Sequence, residues 1–205
     1  MEYLVSMTTR VPDGTSEETI DDTRTREATR SHELAALGHL LRLWRPPLEP
    51  GEWRTLGLFV AADDGHLEDL LRSMPLRIWR TDKATPLSPH PNDPALSLRS
   101  HRTPTKAGAV EFLTSLATTV PEGSPDQTVV DTMEREATRA SALAEQGHLL
   151  RLWRLPGDGR TLGLWQAQDA AELQAILESL PLYSWMTVET TPLTHHPNDP
   201  AANEG

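Results

Sequence analysis

The chain has 205 residues and a formal net charge of −11, with 30 acidic residues against 19 basic, a balance that disfavours nucleic acid and anionic membranes as partners. It has no cysteine, which excludes disulfides, thiolate nucleophiles and thiolate metal sites. No stretch reaches the ~20 apolar residues of a membrane span, and the opening MEYLVSMTTRVP lacks an apolar core of signal-peptide length, so the expected setting is the cytoplasm.

Tyr3 to Met7 is a short apolar, β-leaning run, broken by Pro12, Asp13 and Gly14. Ser16 is a good helix N-cap, and a helix of about 20 residues is expected to end at Gly38, a residue suited to the left-handed position after a helix. Leu40 to Arg45 and Thr55 to Val60 read as the second and third strands. Asp63 can cap a second helix, which carries Leu67, Leu70 and Leu71 and stops before Pro75; Leu76 to Thr81 is the expected fourth strand. Residues 91–109 are rich in Pro, Ser and Asn and read as connecting chain.

The same series then runs again. Residues 2–95 and 111–201 align with more than half of their positions identical, once about three residues are removed from one loop. Gly38 to Arg45 (GHLLRLWR) recurs as Gly147 to Arg154, Arg54 to Leu58 (RTLGL) as Arg160 to Leu164, and His90 to Pro94 (HPNDP) as His196 to Pro200. In the second copy Ser124 is followed by Pro125, a cap-then-proline signal, and Asp169 precedes the second helix. The order β-α-β-β-α-β is the ferredoxin-like unit. The predicted fold is α+β: two such repeats, residues 1–95 and 110–205 joined by a linker at 96–109, packed sheet to sheet as an intrachain dimeric α/β barrel. One polypeptide would then supply what two subunits supply by twofold association, with further homo-oligomers possible.

The first helix is polar for one that covers a sheet. Its apolar stripe is Ile20, Ala28, Leu34 and Leu37, and Glu27 lies seven residues from both Ile20 and Leu34, on their face; Val129, Glu136 and Leu143 repeat the spacing. A carboxylate on that stripe is desolvated, which raises its pKa and suits it to general base work near neutrality. The competing reading is a buried ion pair with Arg42 or Arg45. These arginines, with Arg151 and Arg154 in the second copy, differ by three positions on a strand, so one of each pair faces the helices and is a candidate to hold an anionic substrate group. His39 and His148 open the second strand of each copy and are candidate relays, although a structural role is commoner for a histidine at a strand edge. Core packing is the default for the six tryptophans; Trp44 and Trp153, beside the arginines, are grouped with the substrate-binding candidates. His90 and His196 read as turn formers. No metal-ligand spacing, phosphate loop or nucleotide fingerprint is present, so neither metal nor cofactor is expected.

With these residues in hand, each copy resembles muconolactone Δ-isomerase and its relative chloromuconolactone dehalogenase. The resemblance is carried by the strand ending at Met7, Pro12, Glu27 eleven residues before Gly38, Leu43-Trp44-Arg45, Met74-Pro75-Leu76 and His90-Pro91. The second copy offers Leu116, Pro121, Glu136, Gly147, Leu152-Trp153-Arg154, Leu180-Pro181-Leu182 and His196-Pro197. The resemblance implies a cofactor-free enzyme in which a glutamate, matching Glu27 and Glu136, shuttles a proton across a three-carbon unit of a butenolide through a dienolate. Two departures bear on the substrate: Ser6 and Ser115 stand where the family usually has a basic residue, and Thr55 and Thr161 where an asparagine is expected. The preferred function is a proton-moving isomerase of a small lactone or enone. The alternatives are a cofactor-independent cyclase or oxygenase, and a non-catalytic small-molecule-binding protein on the same scaffold.

Overall fold

A computed structural model describes residues 1–97 and 108–203; most of the expected linker at 96–109 lies outside the described residues. The first repeat forms β1 (Glu2–Thr9), α1 (Glu17–Ala36), β2 (Leu40–Arg45), β3 (Arg54–Val60), α2 (Asp64–Arg72), a 3-10 turn (Pro75–Trp79), β4 (Arg80–Pro89) and the short α3 (Pro94–Ser97). The second forms β5 (Val110–Thr118), α4 (Asp126–Glu145), β6 (Leu149–Arg154), β7 (Arg160–Ala167), α5 (Ala170–Glu178), a 3-10 turn (Tyr183–Trp185) and β8 (Met186–His195).

The helices start and stop for local reasons. The Ser16 hydroxyl accepts from the Thr19 N–H and caps α1; Asp63 accepts from the His66 N–H, and Asp169 from those of Ala171 and Glu172. At α4 the cap position is taken by Pro125, while the Ser124 hydroxyl donates to the Pro121 carbonyl and leaves the helix without a side-chain cap. Gly38 and Gly147 adopt φ of 75° and 78° after α1 and α4. Their N–H groups bond Ala35 and Ala144, and the following His39 and His148 bond Leu34 and Leu143. That is the Schellman closure, and the left-handed residue it needs is cheap only for glycine.

The fourth strand departs from expectation. Pro75 to Trp79 turns as a 3-10 helix, and the strand begins only at Arg80 and runs to Pro89. Pro86 and Pro89 disguise it, because proline cannot donate to a ladder and is tolerated mainly on strand edges.

Two compact units result, and each draws a tail from the other repeat: Met1–Leu87 with the chain from Thr194, and Ser88–Leu193. In the first unit β4, β1, β3 and β2 pair antiparallel in that order, and Trp44 and Arg45 of β2 pair with His195 and Thr194. In the second, β8, β5, β7 and β6 pair likewise, and Trp153 and Arg154 pair with Pro89 and Ser88. Each unit has its own apolar core. Leu34 of α1, with Leu67, Leu70 and Leu71 of α2, packs on Tyr3, Val5 and Phe59; Leu143, with Leu173, Ile176 and Leu177, packs on Phe112 and Trp165. Burying a leucine of this kind contributes about 1.5–3 kcal/mol.

The face that α1 buries is not an apolar stripe. Thr23, Glu27, Ser31 and Leu34 are its buried residues, and Leu37 is 66% exposed. In α4 the buried set is Thr132, Glu136, Ala140, Leu143 and Ala144. The Thr23 and Thr132 hydroxyls stay satisfied by donating to the carbonyls four residues back.

Candidate active site

The polar face of α1 borders a cavity of about 660 Å³, and that of α4 one of about 580 Å³. Glu27 is 8% exposed and lines the first; Glu136, also 8% exposed, lines the second. Each carboxylate is held by the main chain where the 3-10 turn begins. Glu27 Oε2 accepts from the Leu76 N–H at 2.8 Å, and Glu136 Oε2 from the Leu182 N–H at 2.9 Å. A proline one residue earlier, Pro75 or Pro181, helps set that backbone.

The second oxygen distinguishes the two sites. Glu27 Oε1 accepts from Arg80 Nη1 at 2.9 Å. Arg80 also meets Asp82, with Nε 2.7 Å from Oδ1 and Nη2 3.1 Å from Oδ2, and Arg77 approaches Asp82 at 3.5 Å. The ion-pair partner expected for Glu27 was Arg42 or Arg45; the structure supplies Arg80 instead, because β4 starts beside α1. At the equivalent positions of the second repeat stand Tyr183, Met186 and Val188, and among the described residues no cation pairs with Glu136. Burial pushes both carboxyls above their usual range. For Glu27 the Leu76 N–H and Arg80 pull the other way while Asp82 adds to the rise; for Glu136 the Leu182 N–H alone opposes burial.

Arg45 and Arg154 line the same cavities as Glu27 and Glu136, and neither guanidinium has a protein partner among the described residues. Three residues earlier, Arg42 and Arg151 are committed elsewhere. Arg42 Nε and Nη2 bond the Asp199 carboxylate at 3.1–3.2 Å, and its guanidinium lies 4.8 Å over the Trp44 ring. Arg151 repeats this with Asp93 at 3.2–3.3 Å and Trp153 at 4.7 Å. Trp44 and Trp153 are buried and border neither cavity. His39 and His148 also lie away from the cavities, each with Nδ1 at a carbonyl of the neighbouring strand, Val60 or Gln166, at 3.1 and 3.0 Å.

The HPNDP segments bring residues that sequence reasoning assigned only to turns. Asp199 is fully buried and accepts from Arg42, from the Leu43 N–H at 3.0 Å and from His195 Nδ1 at 3.0 Å. Burial pushes its carboxyl up, and these partners more than offset it, holding Asp199 below the usual range. Asp93 takes the equivalent place against Arg151 and the Leu152 N–H. The docked loops deliver His196 to the cavity of Glu27 and Arg45, and His90 to that of Glu136 and Arg154. Burial and the nearby arginine lower both imidazoles against the pull of Asp199 and Asp93, His196 to about 4. The signal available in the sequence was the unchanged recurrence of the pentapeptide. Among the described residues no group of three or more His, Asp or Glu side chains is placed to hold a metal ion.

The first cavity is also rimmed by Arg24, stacked 4.6 Å over Trp53 from the longer β2–β3 loop. Met133 occupies the position of Arg24 in the second, and Gly159 that of Trp53.

Comparison with known proteins follows the same division. A family model described as muconolactone delta-isomerase matches residues 1–93 and again 110–199. Muconolactone Delta-isomerase 1 of Acinetobacter lwoffii is 34% identical over 79 residues, 38% of this chain and 82% of that protein. The Rhodococcus opacus enzyme is 32% identical over 69 residues, 34% of this chain and 74% of that protein. Among solved structures, a heme-binding protein from Thermus thermophilus superposes with a TM-score of 0.61 at 13% identity, over 97% of this chain and 93% of that one. Chlorite dismutase from Candidatus Nitrospira defluvii gives 0.59 at 9% identity, over 94% and 91%. At such identities the likeness is one of fold, the α+β class of the dimeric α/β barrel built from two ferredoxin-like repeats.

Proposed function

The chain belongs to the muconolactone delta-isomerase family, and from that premise we propose that it isomerises a small lactone by moving a proton with Glu27 in one cavity and Glu136 in the other. The observation that carries this reading is a buried carboxylate at an open cavity, with one oxygen anchored by a main-chain N–H, in both repeats. A desolvated carboxyl with a raised pKa both takes a proton from carbon and holds it long enough to return it. The anchoring N–H fixes the position of the base without consuming its second oxygen in the Glu136 site.

The reaction needs a proton to move between the carbon beside the lactone carbonyl and the carbon two bonds away. Removing it spreads negative charge over the dienolate and onto the carbonyl oxygen. Arg45 and Arg154, which line the cavities and have no side-chain partner among the described residues, would meet that oxygen or a substrate carboxylate. One glutamate serves both steps, so no second acid is required. Acid–base catalysis of this kind contributes roughly 10²–10⁴-fold.

The test is the variant Glu27→Gln with Glu136→Gln, assayed with muconolactone in deuterated buffer by NMR, following both enol-lactone formation and deuterium uptake. Gln retains an acceptor for Leu76 and Leu182 and loses the base, so turnover and exchange are expected to vanish in a folded protein. Unimpaired turnover in that variant refutes the carboxylate mechanism.

A further inference from the structure

The turns of the two HPNDP loops use only one nitrogen of each histidine. Within each turn Pro and Asn continue the chain and Asp makes the buried anchor, yet the imidazole is turned to the cavity that holds the glutamate and the arginine. His196 Nδ1 accepts from the Asn198 N–H at 3.1 Å, and His90 Nδ1 from the Asn92 N–H at 3.1 Å. A ring nitrogen that accepts from an amide N–H carries no proton itself, and an amide N–H cannot reverse its role. The proton of each ring therefore sits on Nε2. Among the described residues Nε2 has no protein partner in either ring.

We propose that His196 and His90 are hydrogen-bond donors to the dienolate oxygen, each donating from Nε2 of a neutral imidazole in the cavities of Glu27 and Glu136. This rests on the carboxylate reading above and adds a catalytic group to it.

Three features support the assignment. The donor is preorganised: the His196 N–H bonds the Leu43 carbonyl at 3.3 Å, and three residues on Asp199 is fixed by Arg42 and the Leu43 N–H, so the loop is tied on both sides of the ring. His90 has the matching anchor at Asp93, through Arg151 and the Leu152 N–H. Such donors need no reorganisation as charge develops. The ring is also kept from protonation by its surroundings. A proton on Nδ1 would meet the Asn198 or Asn92 N–H head on, and Arg45 or Arg154 lies nearby. The opposing charges are Asp199 for His196 and Asp93 for His90, both already engaged by an arginine. Finally, a neutral imidazole is too weak an acid to surrender its Nε2 proton to the enolate. It stabilises the oxygen while the proton taken by the glutamate returns to carbon, and the histidine ends the cycle unchanged.

The experiment compares wild type, His90→Leu with His196→Leu, and His90→Gln with His196→Gln. The amide of Gln can place an N–H near the Nε2 position; Leu cannot. Muconolactone turnover in the folded Leu variant is expected to fall about 10²–10³-fold in kcat, the usual loss for one oxyanion donor, with KM nearly unchanged and partial recovery in the Gln variant. Affinity for a tetronate, a ring that carries an enolate oxygen, should fall in the Leu variant in step with kcat. In wild type, ¹⁵N resonances of both rings should report the Nε2–H tautomer throughout the neutral range. Rings in the Nδ1–H or doubly protonated form overturn the proposal, as does tetronate affinity equal in the Leu variant and wild type. The Glu27→Gln with Glu136→Gln variant separates the two ideas. If it retains turnover the carboxylate reading fails, whereas the tautomer and tetronate results still judge the histidines.

Discussion

The cluster of Glu27, Arg80 and Asp82 makes a quantitative prediction, because the sister repeat shows what replaces it. Arg80 and Asp82 have side chains 2% and 4% exposed. Substituting Arg80 by Met, the residue found at 186, strands Asp82 in the interior with only Arg77 at 3.5 Å, and leaves Glu27 with the Leu76 N–H. Removing one partner of a buried pair costs about 3–5 kcal/mol. Adding Asp82→Val, the residue found at 188, removes the stranded charge as well, and replacing a whole buried pair by apolar side chains is often neutral or stabilising. The double variant should therefore be more stable than Arg80→Met alone, with a coupling in the cycle of about 2–3 kcal/mol, at the upper end for residues in contact. Urea unfolding of wild type, both single variants and the double variant at neutral pH measures it. A cost below about 1 kcal/mol for Arg80→Met, or strict additivity in the double, refutes the claim that this network is a buried, compensated pair.

Glu136 has a folded-state pKa raised by burial, so the folded protein keeps a proton that the unfolded chain has released. Its contribution to stability therefore declines as pH rises from the ordinary glutamate range through the folded value. Glu136→Gln should flatten that decline in a series of urea unfolding curves across pH, and an unaltered slope would count against the burial argument. Asp199 has the opposite sign: its lowered pKa contributes stability above the unfolded carboxylate range, lost as pH falls through the folded value. Asp199→Ala leaves Arg42 and the Leu43 N–H without their acceptor and should cost about 3–5 kcal/mol in the same assay; an unchanged unfolding midpoint would contradict the anchoring role.

Much of this was legible in the chain because it contains its own comparison. Ser16, Gly38, Asp63 and Asp169 act locally, and local chemistry survives translation into structure. The polar face of α1 was legible for a similar reason: a heptad spacing places Glu27 beside Leu34 whatever the tertiary context. Where the answer depended on which strand arrives beside that face, the sequence was silent. Arg80 lies 53 residues from Glu27, in a segment whose first residues turn as a 3-10 helix and whose prolines mask a ten-residue strand. Leu37 counted as part of the stripe by its apolarity, yet it sits at the helix end, where the Schellman turn points it to solvent. The buried partners of Arg42 and Arg151 were hidden for a different reason. Each lies in the tail of the other repeat, and a pattern read within one repeat cannot see it.

That exchange of tails gives meaning to what the two repeats share and what they do not. The glutamate, its main-chain anchor, the arginine of the LWR strand and the histidine of the HPNDP loop are common to both cavities, and all four face the space a substrate would fill. Arg77, Arg80 and Asp82 differ from Tyr183, Met186 and Val188; of these Arg80, paired with Glu27, lines the first cavity and Met186 the second. Arg24 and Trp53 differ at the rim. The glutamate, arginine and histidine that the proposed reaction would use are thus unchanged, while other positions of the lining, Ser31 against Ala140 among them, and the mouth have varied. Arg80 lowers the proton affinity of Glu27, and among the described residues Glu136 has no such cation, so in the proposed reaction the two glutamates would work under different local charge. On this argument the Glu27 site keeps its base ionised to lower pH than a Glu27 without Arg80 would. Converting the Arg80 network to the Met186 arrangement should then shift the acidic limb of the first site's pH profile upward and leave the second unmoved.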